Sequence, residues 1–332
     1  MYSLPIYPRD RSPIRALIFI PALIVIGLIP VVIAWILGSA ISGGLELIAL
    51  PGGDWFDHFE NRLRNGMVWG QGLGALAGQL PGFFLKTTLL VIGLWLLHKI
   101  YQRPVKSWLT NAPRFRISHF LVGLVLTGVG VSLIQMAWGY VSLGSEYSPK
   151  FLSGPPWEVW VAMAGIVMIT CLNAFGEEVL FRGWAMQQTA AFIRHPVVII
   201  GLPAIAFALF HREFEPLRLT QLVAMGLALG WATWRLGGIE LAAGAHGGIN
   251  LTIVTFMPTK TAPIPDPVSV AQYYGLTVEQ AARISYQVPP TTLDWVVNIS
   301  VALVPVVITE AVVWWQKSDR RFRRSRLVAP SS

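Results

Sequence analysis

Apolar residues in this chain fall into long runs, separated by short clusters of charge, proline or glycine. A helix that crosses a bilayer needs roughly 20 apolar residues in succession. By that measure eight spanning helices are predicted, over 14–41, 81–101, 117–143, 157–185, 196–211, 218–236, 239–257 and 293–315. The expected fold class is all-α, a polytopic membrane bundle of about eight transmembrane helices. The first run is too long for the apolar core of a secretory signal and lacks a small-residue cleavage site. It reads as the first spanning helix, with Pro21 and Pro30 tolerated as kinks. The stretch 66–80, "GMVWGQGLGALAGQL", precedes Pro81 and spaces Gly70, Gly74 and Gly78 for close helix packing. It is expected to extend the second helix, re-enter the membrane or lie at the interface.

Composition narrows the class further. Only 13% of the residues are charged and mean hydropathy is +0.57, whereas a soluble domain carries about 25% charged residues. The single cysteine, Cys171, excludes an intramolecular disulfide and a cysteine-based zinc knuckle. A net charge of +8 would suit nucleic acid, but the basic residues lie at helix ends and in the tail, as membrane topology alone produces. No nucleic-acid partner is expected.

The same residues orient the bundle. With a cytoplasmic N-terminus, inside segments hold 16 Lys and Arg against 7 outside, leaving aside Lys86 and Arg182 within helices. Both termini are therefore expected in the cytoplasm of a multi-pass cell-membrane protein. Trp108, Trp157, Trp295, Trp314 and Trp315 read as interface anchors, and Lys86 and Glu310 as side chains snorkelling from near helix ends. The longest loop, 258–292, falls outside; it opens "PTKTAPIPDP" and continues with a short helix capped by Thr277. It is a connector, a lid or a substrate guide. The expected organisation is 1–156 as three N-terminal helices, 157–257 as a core of four, 258–292 as the outer loop and 293–332 as the last helix with a basic tail.

Charge inside the fourth helix then needs an explanation. "NAFGEEVLFRGW" places Glu177, Glu178 and Arg182 after a run apolar enough to span. Each unpaired charge at mid-bilayer costs at least roughly 2.5–3.5 kcal/mol, so such groups persist when paired, solvated in a cavity or used in chemistry. Glu178 and Arg182 are i,i+4 and share a face for an ion pair. Glu177 lies about 100° round the helix, free to face a cavity. Later helices repeat the spacing: "FALFH" sets Phe207 and His211 on one face, and "HGGIN" does so for His246 and Asn250. The small residues of "AAGAHGGINL" are expected to leave an open backbone where polar groups converge. A carboxylate and an imidazole can deprotonate water, while a second imidazole and an amide N–H stabilise a tetrahedral oxyanion. Alternatively His211, His246 and Glu177 hold a zinc ion. The expected cofactor is none, or one zinc.

"EEVLFR", "FALFH" and "HGGIN", in that order, resemble the motifs EExxxR, FxxxH and HxxxN of the CPBP (Abi, type II CAAX-processing) family of intramembrane proteases. Every motif letter is matched, over about 170–255. The resemblance implies an intramembrane endopeptidase in which Glu177 activates water with help from His211. His246 and Asn250 would be oxyanion partners, Glu178 and Arg182 would hold the helix geometry, and Phe207 would support the site. It implies a membrane-protein or lipidated-peptide substrate taken from the lipid bilayer. Some relatives trim prenylated CAAX proteins; others act in peptide maturation, bacteriocin immunity or regulation. Two other classes stay open: a non-catalytic scaffold or immunity protein of the same fold, and a proton-coupled transporter, against which no inverted repeat is seen. With these boundaries His211 falls toward the outer side of its helix, away from the depth of Glu177 and His246.

Overall fold

Pro81 sits inside a helix, not ahead of one. The computed structural model describes residues 7–49, 54–65, 72–143, 156–256 and 291–328. The expected outer loop as far as residue 290, its Thr277-capped helix and the stretch 66–71 lie outside the described residues. From residue 72 onward the glycine-spaced stretch extends the second spanning helix, one of the three forms expected of it.

The helices run α1 (Pro13–Ala49), α2 (Trp55–Asn65), α3 (Gly72–Tyr101), α4 (Lys106–Leu109), α5 (Ile117–Leu143), α6 (Pro156–Glu178), α7 (Met186–Phe192), α8 (Pro196–Phe210), α9 (Pro216–Leu236), α10 (Glu240–Phe256) and α11 (Thr292–Val328). A π-helical turn, Val179–Ala185, joins α6 to α7 without a break. No strand occurs among the described residues. Each predicted helix is present, but among the described residues five, not eight, are by length and composition long and apolar enough to cross a membrane: Pro13–Leu45, Leu76–Tyr101, Ile117–Val141, Trp160–Phe192 and Thr292–Ser318. The chain is a multi-pass helical membrane protein, with Leu17, Val25, Leu133 and Val307 turned outward as on lipid-facing helices.

The other three are not spans of that kind, for physical reasons. The α8 helix has only 15 residues. The α9 helix carries Arg218, Gln221 and Arg235 along its length. The α10 helix has 17 residues and is enclosed by protein, packing on α5, α6 and α9, with Leu241, Ala242, Ala243, Ala245, His246 and Ile249 buried. Hydropathy reads a helix buried in protein and one buried in lipid alike.

The small residues of α10 therefore close a gap where an open backbone was expected. A Cβ on Gly244 would stand 1.9 Å from the carbonyl oxygen of Phe120, one on Gly248 2.6 Å from that of Leu124, and one on Gly123 2.4 Å from that of Leu241. The two backbones thus touch where side chains would hold them apart. Gly244→Ala is expected to destabilise the bundle by about 1–3 kcal/mol, seen as a lower unfolding midpoint in detergent. An unchanged midpoint would mean that α5 shifts away freely.

Two buried ion pairs fix the ends of elements that carry the site. Arg103 bonds Asp10 at 2.6 Å and Gln187 at 2.6 Å and lies 3.6 Å over the ring of Trp108, tying the N-terminal turn Pro8–Arg11 to α7. Arg116 grips Glu240 at 2.7 Å and sets the start of α10 against α5.

Candidate active site

Helix boundaries decide whether the polar motifs meet. Sequence spacing ends the fourth helix at 185, but the π turn carries it on to Phe192 before the bend at Ile193–His195. Glu177 stands seventeen residues before Arg194 and His211 seventeen after it. The chain doubles back there, so the two residues come level. This removes the depth mismatch that the shorter boundary produced. A π turn widens the helix by one residue, and such turns recur at functional sites; this one begins next to Glu178.

Glu178 organises the buried side. It is fully buried and its Oε1 accepts from Arg182 Nη1 at 2.7 Å, the expected i,i+4 pair. The same oxygen lies 2.8 Å from Nδ1 of His246, a partner that sequence spacing did not reveal. Arg182 also donates to the Gly226 carbonyl at 2.9 Å and stands 4.7 Å from the centre of the Phe207 ring. Phe207 is fully buried, with its ring 4.6 Å from that of His211 and 5.6 Å from that of His246. It packs against both imidazole rings and the guanidinium at once.

The two imidazoles are set as tautomers by these contacts. His211 Nδ1 lies 2.8 Å from the Phe207 carbonyl, which only accepts, so Nδ1 carries the hydrogen. His246 Nδ1 donates to the carboxylate of Glu178 in the same way. Neither Nε2 is engaged by those contacts, in the neutral rings each carries a lone pair, and both face Glu177 Oε2, at 3.9 Å and 3.8 Å. That oxygen is buried and makes no hydrogen bond among the described residues. Its partner Oε1 accepts from Lys86 Nζ of α3 at 2.9 Å. Three acceptors thus converge on one point. A water molecule matches them, donating two hydrogens while its oxygen stays available for attack.

A metal matches them less well. Ligand atoms bonded to tetrahedral zinc at about 2.0–2.2 Å stand roughly 3.3–3.6 Å apart, closer than the 3.8 Å and 3.9 Å found here. The Lys86 ammonium, 2.9 Å from the other carboxylate oxygen, would repel a cation. Among the described residues no three His, Cys, Asp or Glu side chains are spaced to hold a metal ion. The zinc set of His211, His246 and Glu177 does not fit this geometry.

Asn250 lies one turn beyond His246 on α10, half-buried, and among the described residues its amide bonds none of the other site side chains. A cavity of about 350 Å³ reaches Glu177 between α1, α3 and α6, walled by Phe19, Leu23, Lys86, Leu89 and Asn173. Two of these residues were missed by sequence reasoning. Asn173 precedes Glu177 by one turn and keeps a buried Oδ1 without a partner; its i,i−4 spacing was the available signal. Lys86 was read as snorkelling from near a helix end, but α3 begins at Gly72 and places it mid-helix. Glu310, read likewise, bonds Arg235 and the indole of Trp231.

With that geometry in view, comparison with known proteins becomes informative. Residues 158–252 match the family model described as type II CAAX prenyl endopeptidase Rce1-like. This segment is similar to that family. It holds Glu177, Glu178, Arg182, Phe207, His211, His246 and Asn250, but not Lys86. The chain is also similar to the uncharacterized protein YyaK of Bacillus subtilis, 22% identical over 180 residues, covering 51% of this chain and 58% of that protein. It thus spans less than two thirds of that relative's length. No solved structure matches. The resemblance stated from the three motifs holds, and the Rce1-like segment coincides with the helices that carry the converging groups.

Proposed function

We propose that this chain is an intramembrane endopeptidase that hydrolyses a peptide bond of a membrane-associated or lipidated protein or peptide. The observation that carries the reading is the convergence of Glu177 Oε2 with two bare imidazole nitrogens, every other polar atom of those three side chains being engaged. Glu177 takes a proton from water, with His211 orienting it. The water oxygen attacks the carbonyl carbon, and the carbonyl becomes an oxyanion. Asn250 offers its amide N–H to that oxyanion, and His246, with Nε2 3.8 Å from Glu177 Oε2, takes the water proton from Glu177 and donates it to the oxyanion as a hydrogen bond. The C–N bond then breaks, the amine takes that proton back through Glu177, and the new carboxyl group gives its remaining proton to the amine, so that a carboxylate and an ammonium depart. No covalent acyl-enzyme forms. Phe207 packs on both imidazoles and on Arg182, whose partner Glu178 fixes His246.

The helices over 157–257 form the catalytic core, flanked by the N-terminal helices over 1–156 and by the last helix. With all eight apolar helices counted as crossings, both ends of the chain face the cytoplasm of a cell membrane. The family match supports a prenylated or otherwise lipid-bearing substrate, and the apolar cavity beside Glu177 agrees with that class.

The test is cleavage of a library of membrane peptides, with and without C-terminal lipid, by purified protein in lipid nanodiscs. Mass spectrometry is expected to find a single internal cut, with oxygen from labelled water in the new carboxyl group. Chelators are expected to leave the rate unchanged; loss with chelator and recovery with zinc would move the mechanism to a metalloprotease. A folded protein that cuts no member of the library would favour the non-catalytic scaffold.

A further inference from the structure

We infer that Lys86 is a positioning residue for the proposed base, holding Glu177 in the one orientation that faces both imidazoles. The inference rests on the peptidase reading above, and Lys86 lies outside the Rce1-like segment, so no match assigns it. Its ammonium stands mid-way along a helix that is long and apolar enough to span, where an unpaired charge costs at least roughly 2.5–3.5 kcal/mol. Its partner is Glu177 Oε1, at 2.9 Å.

The geometry gives that bond a consequence beyond neutralisation. The terminal torsion of a glutamate is broad and roughly two-fold, so a carboxylate held at neither oxygen swings freely. With Oε1 on Lys86, Oε2 is aimed at the Nε2 atoms of His211 and His246. The register is built into the packing of α3 on α6. A Cβ on Gly176 would lie only 3.6 Å from Leu90 Cβ, so the helices meet closely there. Lys86 is one turn before Leu90, and Glu177 follows Gly176. The lysine side chain is 38% exposed and lines the existing cavity beside Glu177, so its removal enlarges that cavity rather than opening a new one in the packed core. The catalytic unit is therefore larger than its three motifs: α3 supplies the residue that aims the base.

The experiment compares wild type with Lys86→Met, Lys86→Arg and Lys86→Ala. Lys86→Met is expected to lower kcat by about tenfold to a hundredfold, the scale of a misplaced reacting group, with KM unchanged and the protein still folded at the assay temperature, its unfolding midpoint lowered by the loss of Glu177's counter-charge. Lys86→Arg is expected to restore most of the rate, and added propylammonium to restore part of it to Lys86→Ala. A Lys86→Met enzyme with the wild-type kcat, or one changed in KM alone, overturns the inference. So does a loss that neither arginine nor the amine repairs. A second arm needs no substrate: carbodiimide treatment of the folded wild type is expected to join Lys86 to Glu177 as an isopeptide, read by mass spectrometry and absent in Glu177→Gln. Failure to cross-link overturns the pairing whatever the cleavage assay gives. A wild type that cross-links but cuts nothing ends the peptidase reading, and with it the positioning role.

Discussion

Glu177→Gln is expected to lower kcat by about 10²–10⁴-fold, the usual contribution of a positioned general base, with the protein still folded and its unfolding midpoint only modestly lowered by the loss of Lys86's counter-charge. The amide has the carboxylate's shape, and its oxygen can still accept from Lys86, which now bonds Oε1 at 2.9 Å. Apart from that charge, only the ability to take a proton at the second position is lost. Glu177→Ala is expected to be as inactive. Single-turnover cleavage of the peptide found by the library assay measures both. A Glu177→Gln enzyme that keeps more than about a tenth of the wild-type rate would remove Glu177 from the role of base and leave the convergence at Oε2 without a catalytic meaning.

Glu178 should behave in the opposite way, through stability first. Arg182 and Glu178 are about 1% and 0% exposed, and the same carboxylate holds His246 Nδ1. Glu178→Ala leaves a buried guanidinium with only the Gly226 carbonyl and the face of Phe207 as partners. Breaking a buried pair at one side costs on the order of 3–5 kcal/mol. Arg182→Met should cost a similar amount, since it leaves the acid buried with His246 alone. The double variant Glu178→Met with Arg182→Met removes both charges and is expected to recover most of the lost stability. It should remain inactive, because nothing then fixes the tautomer and orientation of His246. Thermal unfolding and cleavage measured side by side separate the two effects. A double variant that is both stable and active would show that Glu178 serves the fold alone.

The contrast between the adjacent glutamates was legible in the sequence because it depends on local geometry. An i,i+4 pair shares a helix face wherever the helix sits, so Glu178 with Arg182 could be matched without knowing any neighbour. The long apolar runs likewise marked the eight long apolar helices, though not the short polar α2 and α4, since a spanning segment must satisfy its own backbone whatever its surroundings. The order and spacing of "EEVLFR", "FALFH" and "HGGIN" carried the family resemblance for the same reason.

Other features depended on contacts between distant segments. That His211 comes level with Glu177 depends on a π turn carrying α6 through to Phe192, a boundary without a sharp local signal. That Gly244 and Gly248 press against α5 instead of opening a cavity depends on which helix lies opposite. The bond from Lys86 to Glu177 joins residues 91 positions apart, and Pro81, which reads as a helix start, hid the fact that Lys86 stands mid-helix. By itself, then, the sequence determined the helices, their membrane character and the faces bearing charge, because each follows from backbone satisfaction and a period of 3.6 residues. Only the tertiary structure decided which faces meet, which histidine nitrogens are left bare and which lysine aims the acid, because those depend on the packing of helices that the chain brings together from far apart.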